Sequence, residues 1–319
     1  MSAGLVEVTR QDQRTGRAVV ESSHAGWFVV TGPDGEVVAA LGDPGHVTFL
    51  RSTVKPFQAA ACLEALGEVA RELTTEEIAI ACASHRAEPR HLEVVDRLLG
   101  RSGLRGEQLT CPPDVGPADP SAEAERRRHN CSGKHALFAL AGAAVGTSRE
   151  DLLDPSAPLQ TRVLDRLEQE LGPPMVVARD GCGAPAVAVP LEHLAAAYGR
   201  LATEERSTRV REAMLAHPLL VGGEERAETA LLASGVLAKP GAEGVMAAGW
   251  VGRAGGYGLA IKVADGASRG AATAAVGLLE SAGIVPPGTW VSPPPTGGEM
   301  PVGEVRVTDA VRGLGELLP

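Results

Sequence analysis

Strand-like runs stand at both ends of this 319-residue chain, with helical patterns filling the stretch between them. Residues 5–42 read as strands. Within them Trp27-Phe28-Val29-Val30 and Glu36-Val37-Val38-Ala39-Ala40 flank Pro33-Asp34-Gly35, a turn signal that makes a hairpin. Further strands are expected at 244–251, 259–263 and 302–307. Repeated βαβ units would alternate strand with helix throughout, and this chain does not. The order predicts an α+β fold, an antiparallel sheet carrying helices on its faces, rather than a Rossmann fold. No repeat of fixed period and no linker divide the sequence. One domain over residues 1–319 is expected, with strands from both chain ends sharing the sheet and a mainly helical part near 55–235.

The helical part begins at Lys55, since Pro56 is tolerated in a first turn. Thr74 with Glu77 resembles a capping box, starting a helix that runs through Ala83. Residues 84–89 interrupt it, and 90–99 resume at helical spacing. Residues 111–120 read as a loop. Asn130 is a plausible cap for a helix from Ser132 or Gly133 to about Ala144. An amphipathic helix at 159–171 leads to a short buried strand at 175–178, a glycine-rich loop at 180–185 and a strand at 186–189. Helices are expected at 191–202, 205–216, 224–233 and 269–282, and the proline-rich stretch 286–301 is a loop.

Composition narrows the function classes. Apolar residues make up 44% of the chain and aromatics 3%, so a core is affordable but must be built of Ala, Val and Leu. A net charge of −10 argues against nucleic acid or an anionic membrane as partner. The longest apolar stretch, Ala136 to Val145, is too short to span a bilayer. The first residues show neither the basic nor the apolar region of a secretion signal. Five cysteines without a C-x-x-C pair fit a reducing cytoplasm.

Between the first strands and the first helix lies Arg51-Ser52-Thr53-Val54-Lys55-Pro56-Phe57-Gln58. One helical turn separates Ser52 from Lys55, so the amine can reach the hydroxyl. A neutral lysine amine can take the proton of a serine as it attacks a carbonyl. S-x-x-K is the arrangement of penicillin-recognising serine enzymes. The pattern is short, and lysine usage sharpens it. Of 30 basic residues only Lys55, Lys134, Lys239 and Lys262 are lysine. A position that must lose a proton or ligate a metal cannot use arginine. Each lysine is therefore a candidate for amine chemistry, against plain surface placement.

Other positions could join this pair. Ser84 sits where a helix breaks, in Cys82-Ala83-Ser84-His85, either as a second catalytic hydroxyl or as a turn serine. Lys262 lies on a strand that otherwise reads as buried, so it points to water or into a polar cleft. Cys131-Ser132-Gly133-Lys134-His135 and Asp180-Gly181-Cys182 bring two thiols, an amine, an imidazole and a carboxylate onto two loops. Two thiolates and a nitrogen suit zinc, although the spacing matches no structural zinc module. Buried structural cysteines are the default for Cys62, Cys82 and Cys111.

Taken together these segments resemble the L-asparaginase II family of the Rhizobium etli type. The matching stretches are 51–58, 82–85, Glu88-Pro89-Arg90-His91, 129–135, 180–185, Lys239-Pro240-Gly241-Ala242-Glu243-Gly244-Val245 and Leu259-Ala260-Ile261-Lys262-Val263. All four lysines fall inside them. The resemblance implies a fold similar to serine β-lactamases and glutaminases, and a homodimer. It implies two Ser-Lys pairs, Ser52 with Lys55 and Ser84 with Lys262, and a zinc ion held by Cys131, Lys134 and Cys182 beside Asp180. Members usually carry Ser-Gly where this chain has Arg86-Ala87, and Ala-Gly-Met where it has Ala136-Leu137-Phe138.

The expected reaction is hydrolysis of the L-asparagine side-chain amide to L-aspartate and ammonia through an acyl-enzyme. Ser52 is the favoured nucleophile because its pairing is local. Arg51, Asp180 and His135 are candidate substrate-binding residues, with a guanidinium fork suited to the substrate carboxylate. Two rival classes stay open. One is another serine hydrolase of the same architecture, a β-lactamase or peptidase, against which stands the lack of a K-T-G triplet. The other is a non-catalytic zinc-binding protein, which would leave Ser52 and Lys55 unexplained.

Overall fold

The computed structural model describes residues 1–173 and 175–318. These fall into two compact units, each assembled from separate stretches of chain. The first takes residues 1–48, 190–203 and the chain from Ser234 onward. The second takes 49–189 and 204–233.

The first unit is built on an antiparallel sheet. Its strands are β1 (Ala3–Gln11), β2 (Ala18–Thr31), β3 (Val37–Leu41), β7 (Leu237–Gly241), β8 (Val245–Gly252), β9 (Gly255–Val263) and β12 (Gly303–Val307). They run in the order β12-β1-β2-β9-β8-β7, with β3 also paired to β2. Strands from both chain ends thus meet in one sheet, as β1 pairs β12 with Val6 opposite Val307. The expected hairpin is β2–β3, with Val30 opposite Ala39. Two helices lie against this sheet, α6 (Leu191–Thr203) and α10 (Ser268–Ser281). Helix α6 approaches it closely because glycines face it: a Cβ on Gly258 would stand 1.7 Å from the Ala195 carbonyl oxygen, and one on Gly249 would stand 2.1 Å from that of Tyr198. Four elements of this unit were not expected. Strand β7 ends in Lys239-Pro240-Gly241, where the proline is tolerated because β7 is a sheet edge. Helix α11 (Asp309–Glu316) follows the last strand, its first turn capped by Thr308. A two-residue hairpin, β10 (Thr296–Gly297) with β11 (Met300–Pro301), interrupts the proline-rich loop.

The second unit, which the chain enters at the short strand β4 (Val47–Phe49), is mainly helical. Its helices are α1 (Lys55–Leu66), α2 (Thr75–Cys82), α3 (Pro89–Gly100), α4 (Ser132–Ala144), α5 (Pro158–Leu171), α7 (Thr208–Ala216), α8 (Pro218–Val221) and α9 (Ala227–Ala233). Helix α4 is apolar nearly all round and packs against α1, α2 and α3. The Thr74–Glu77 capping box forms as expected: the Thr74 hydroxyl accepts from the Glu77 N–H at 3.3 Å, and the Glu77 carboxylate accepts from the Thr74 N–H at 2.8 Å. Two local expectations differ. Cys131, not Asn130, occupies the N-cap of α4, and no side chain caps it; the Asn130 side-chain oxygen instead lies 3.0 Å from Cys131 Sγ. The strand near 175–178, β5 (Val176–Arg179), is exposed along its length rather than buried. It pairs with β6 (Pro185–Pro190), which is the buried member of the two. Among the described residues no helix is long and apolar enough to cross a membrane.

Candidate active site

Lys55 opens α1 and is buried, with 1% of its surface exposed. An amine taken from water must find partners, and Lys55 finds three. Its Nζ donates to the Ala83 carbonyl at 2.5 Å, to Ser84 Oγ at 3.1 Å and to the Asn130 carbonyl at 3.3 Å. Ser52 is not among them. The reason is local: residues Arg51–Val54 form a 3-10 turn and the α-helix begins only at Lys55. The two side chains therefore do not share one regular helical face. Ser52 is half-buried, and its hydroxyl has no hydrogen-bond partner among the described residues.

Arg51 adopts a left-handed conformation with φ 53°, which a non-glycine residue adopts at a cost. Its guanidinium Nε donates to Asp180 Oδ1 at 2.9 Å, and the same oxygen accepts from the Gly181 N–H at 2.7 Å. Two expected substrate-binding residues thus meet. Beside them opens a groove of about 870 Å³, lined by Thr110, Arg126, Arg149, Asp151, Asp180 and Cys182 among others. His135 is wholly buried; its Nδ1 lies 2.7 Å from Thr110 Oγ1, and its Nε2 has no partner among the described residues.

The residues expected to hold zinc also converge. Lys134 Nζ lies 3.3 Å from Cys182 Sγ. The Cys182 thiol hydrogen-bonds to Cys131, and that bond, aided by Lys55 and His129, holds the Cys131 thiol well below its usual range. The partner thiol is pushed up in turn, by the same bond and by burial. Burial pulls the Lys134 amine down, but Cys182, Cys131 and Asp180 outweigh it and hold the amine above its usual value. Two sulfurs and one nitrogen on neighbouring elements are a donor set that fits zinc. No group of three or more His, Cys, Asp or Glu is gathered in this way among the described residues; the third donor here is a lysine.

The remaining lysines lie in the first unit. Lys262 stands on β9, with Trp27 and Val245 as its cross-strand neighbours. Its amine, on the exposed side, donates to the Glu243 carbonyl. Lys239, on β7, is wholly buried, and its Nζ donates to the Pro240 carbonyl at 3.1 Å. Sequence reasoning gave Lys239 no role. Lys239-Pro240-Gly241 has K-x-G spacing, the outline of a K-T-G triplet with proline in place of threonine.

No curated protein matches the sequence. Residues 6–307 match the family described as L-asparaginase II, which spans nearly the whole chain and every residue of the site above. The chain belongs to the L-asparaginase II family.

Proposed function

We propose that this protein hydrolyses the side-chain amide of L-asparagine to L-aspartate and ammonia by Ser-Lys catalysis. Family membership implies the substrate and the amidohydrolase chemistry. The observation that carries the catalytic reading is the setting of Lys55. Two backbone carbonyls take two of its N–H groups, so the third position of the nitrogen is left facing Ser84. As an ammonium it donates there; as an amine it accepts the serine proton. A proton can cross that 3.1 Å contact without any movement of the lysine.

The two serines then divide the work. Ser84 shares protons with Lys55, and an oxygen accepting a bond from an ammonium is a poor nucleophile. Ser52, whose hydroxyl is not so engaged, attacks the amide carbon. Substrate binding would bring the Ser52 hydroxyl to Lys55, since catalytic hydrogen bonds commonly form fully only in the substrate complex. For that step Lys55 is the neutral amine, its lone pair turned from Ser84 to Ser52; it takes the Ser52 proton and passes one on through Ser84 to the departing ammonia. Water, activated by the same relay, then cleaves the ester to release aspartate. Arg51 takes the substrate carboxylate and Asp180 its ammonium, a zwitterion replacing the ion pair the two now make with each other.

Cys131, Lys134 and Cys182 would hold a zinc ion, which when bound supplies a Lewis acid beside Asp180. The fold similar to serine β-lactamases and the homodimer are part of the same reading, supported by the resemblance. For the second amine we depart from Lys262. Lys239 is buried and begins a K-x-G triplet on an edge strand, the properties expected of the third motif in such folds. Ammonia release from L-asparagine, present in the wild type and lost in Lys55→Arg, tests the proposal, because arginine keeps the charge but cannot accept the proton.

A further inference from the structure

We propose that His85 and Ser132 are positioning residues, joined to each other so as to fix the spacing of the two chain segments that surround Lys55. This rests on the reading of Lys55 and Ser84 as catalytic. The acceptors of Lys55 come from two places far apart in sequence. Ala83 and Ser84 lie in the non-helical stretch between α2 and α3, and Asn130 lies just before α4. The residue after Ser84 is His85, and Ser132 stands two after Asn130. His85 Nε2 and Ser132 Oγ are 2.8 Å apart, and the two residues are 1% and 0% exposed. The same two segments that supply the Lys55 acceptors are therefore tied a second time, by one buried side-chain bond.

The protons in that bond are determined by its neighbours. Ser132 has one O–H, and it donates to the Arg127 carbonyl at 2.8 Å. Its oxygen must then accept from His85 Nε2–H. His85 Nδ1 accepts in turn from the Ala87 N–H at 3.1 Å. The ring is thus neutral, with its hydrogen on Nε2, and it is fixed at both nitrogens. A second histidine supports it from the side: the His91 ring stacks at 5.4 Å, its Nδ1 accepting from the Glu88 N–H at 3.1 Å and its Nε2 2.9 Å from the Leu219 carbonyl. The stretch 84–91, whose Glu88-Pro89-Arg90-His91 segment the catalytic reading leaves unused, is held in this way by its own two imidazoles. A loop serine placed by a loop alone would wander relative to Lys55. Placed by a buried ring fixed at both ends, it does not.

The test is a double-mutant cycle on folded protein. Ser132→Ala removes the acceptor. His85→Asn keeps an acceptor where Nδ1 stood but loses the reach to Ser132, whereas His85→Gln places an amide N–H near the position of Nε2. Ser132→Ala and His85→Asn should each lower kcat for ammonia release by about tenfold to a hundredfold, the scale of a small misplacement of reacting groups, with KM within about twofold. The double variant should be no worse than the poorer single, and His85→Gln should recover most of the His85→Asn loss. Additive losses, or a Ser132→Ala enzyme with wild-type kcat, would overturn the proposal. A readout independent of activity accompanies the cycle. In protein labelled with ¹⁵N-histidine, His85 should show one protonated and one bare ring nitrogen, with a slowly exchanging Nε2 proton that disappears in Ser132→Ala. If the wild type released no ammonia from asparagine, the functional reading would fail while this signature still decided the tie. An Nδ1–H tautomer, or a ring proton indifferent to Ser132→Ala, would remove the tie itself.

Discussion

Lys55 donates to Ser84, 29 residues away in sequence, and not to Ser52, its neighbour by three. The S-x-x-K spacing picks out the buried lysine but not its resting partner. The pair seen in the structure joins the first turn of α1 to the break between α2 and α3, which packing creates and local spacing does not reveal. In the proposed mechanism the two serines have different roles, and each role has a consequence.

Replacing Ser52 by alanine removes the attacking oxygen, and ammonia release should fall by about a thousandfold or more. Ser84→Ala leaves the nucleophile and takes away the relay, so a smaller loss of about a hundredfold to ten-thousandfold is expected. Initial rates with L-asparagine on purified variants measure both. A Ser52→Ala enzyme working at the wild-type rate would remove it as nucleophile.

The two lysines of the first unit separate in the same assay. Lys239→Ala should lose at least about a hundredfold in kcat, the contribution of one positioned proton-transfer group, while Lys262→Ala should stay within about threefold of wild type. The reverse pattern would restore Lys262 to the second pair. Circular dichroism on both variants guards against loss of fold, since Lys239 is buried.

The sheet was legible in the sequence wherever a turn or an alternation announced it, as at Pro33-Asp34-Gly35. Strand β7 was not, because Pro240 and Gly241 carry turn chemistry and only the edge position of β7 allows them. Of the candidate site, Lys55, Arg51, Asp180, Cys131, Lys134 and Cys182 could be singled out from residue type, motif and the family resemblance. What sequence did not show is which of them touch. Asn130 read as a helix cap by its side chain, and its carbonyl turns out to be the group that matters, accepting from Lys55. Backbone acceptors carry no signature in residue type, so the surroundings of Lys55 could be seen only in three dimensions.

Close packing beneath the site sets a stability limit. Gly133, between Ser132 and Lys134, lets α4 meet α2 so closely that a Cβ there would stand 2.2 Å from the Ile80 carbonyl oxygen. Backbone cannot yield as a flexible side chain can. Gly133→Ala should cost about 1–3 kcal/mol, in the range of overpacked cores, measured by urea unfolding. An unchanged midpoint would show that the helices separate freely.

Acid should weaken the fold earlier than carboxylates alone would make it. Burial above all holds the His85 ring well below the ordinary histidine value of 6.5, and burial likewise lowers His91. Below pH 6.5 the unfolded chain binds protons that these two folded rings refuse. Stability is therefore level above about pH 6.5 and falls as pH drops towards the folded values, by up to about 1.4 kcal/mol per pH unit for each ring. Urea unfolding at pH 7.5, 6 and 5 gives the slope, and His91→Asn should reduce it. A flat profile over that window would contradict the burial of these rings as neutral species.

The central claim is that a serine beside Lys55 becomes acylated by an asparagine-like substrate. An electrophilic asparagine analogue, followed by peptide mass spectrometry of the labelled protein, tests it most directly. The account predicts one label per chain, on Ser52, that L-aspartate competes away and that Lys55→Arg abolishes. A label on Cys131 or Cys182, or none on either Ser52 or Ser84 while the protein is turning over asparagine, would contradict it.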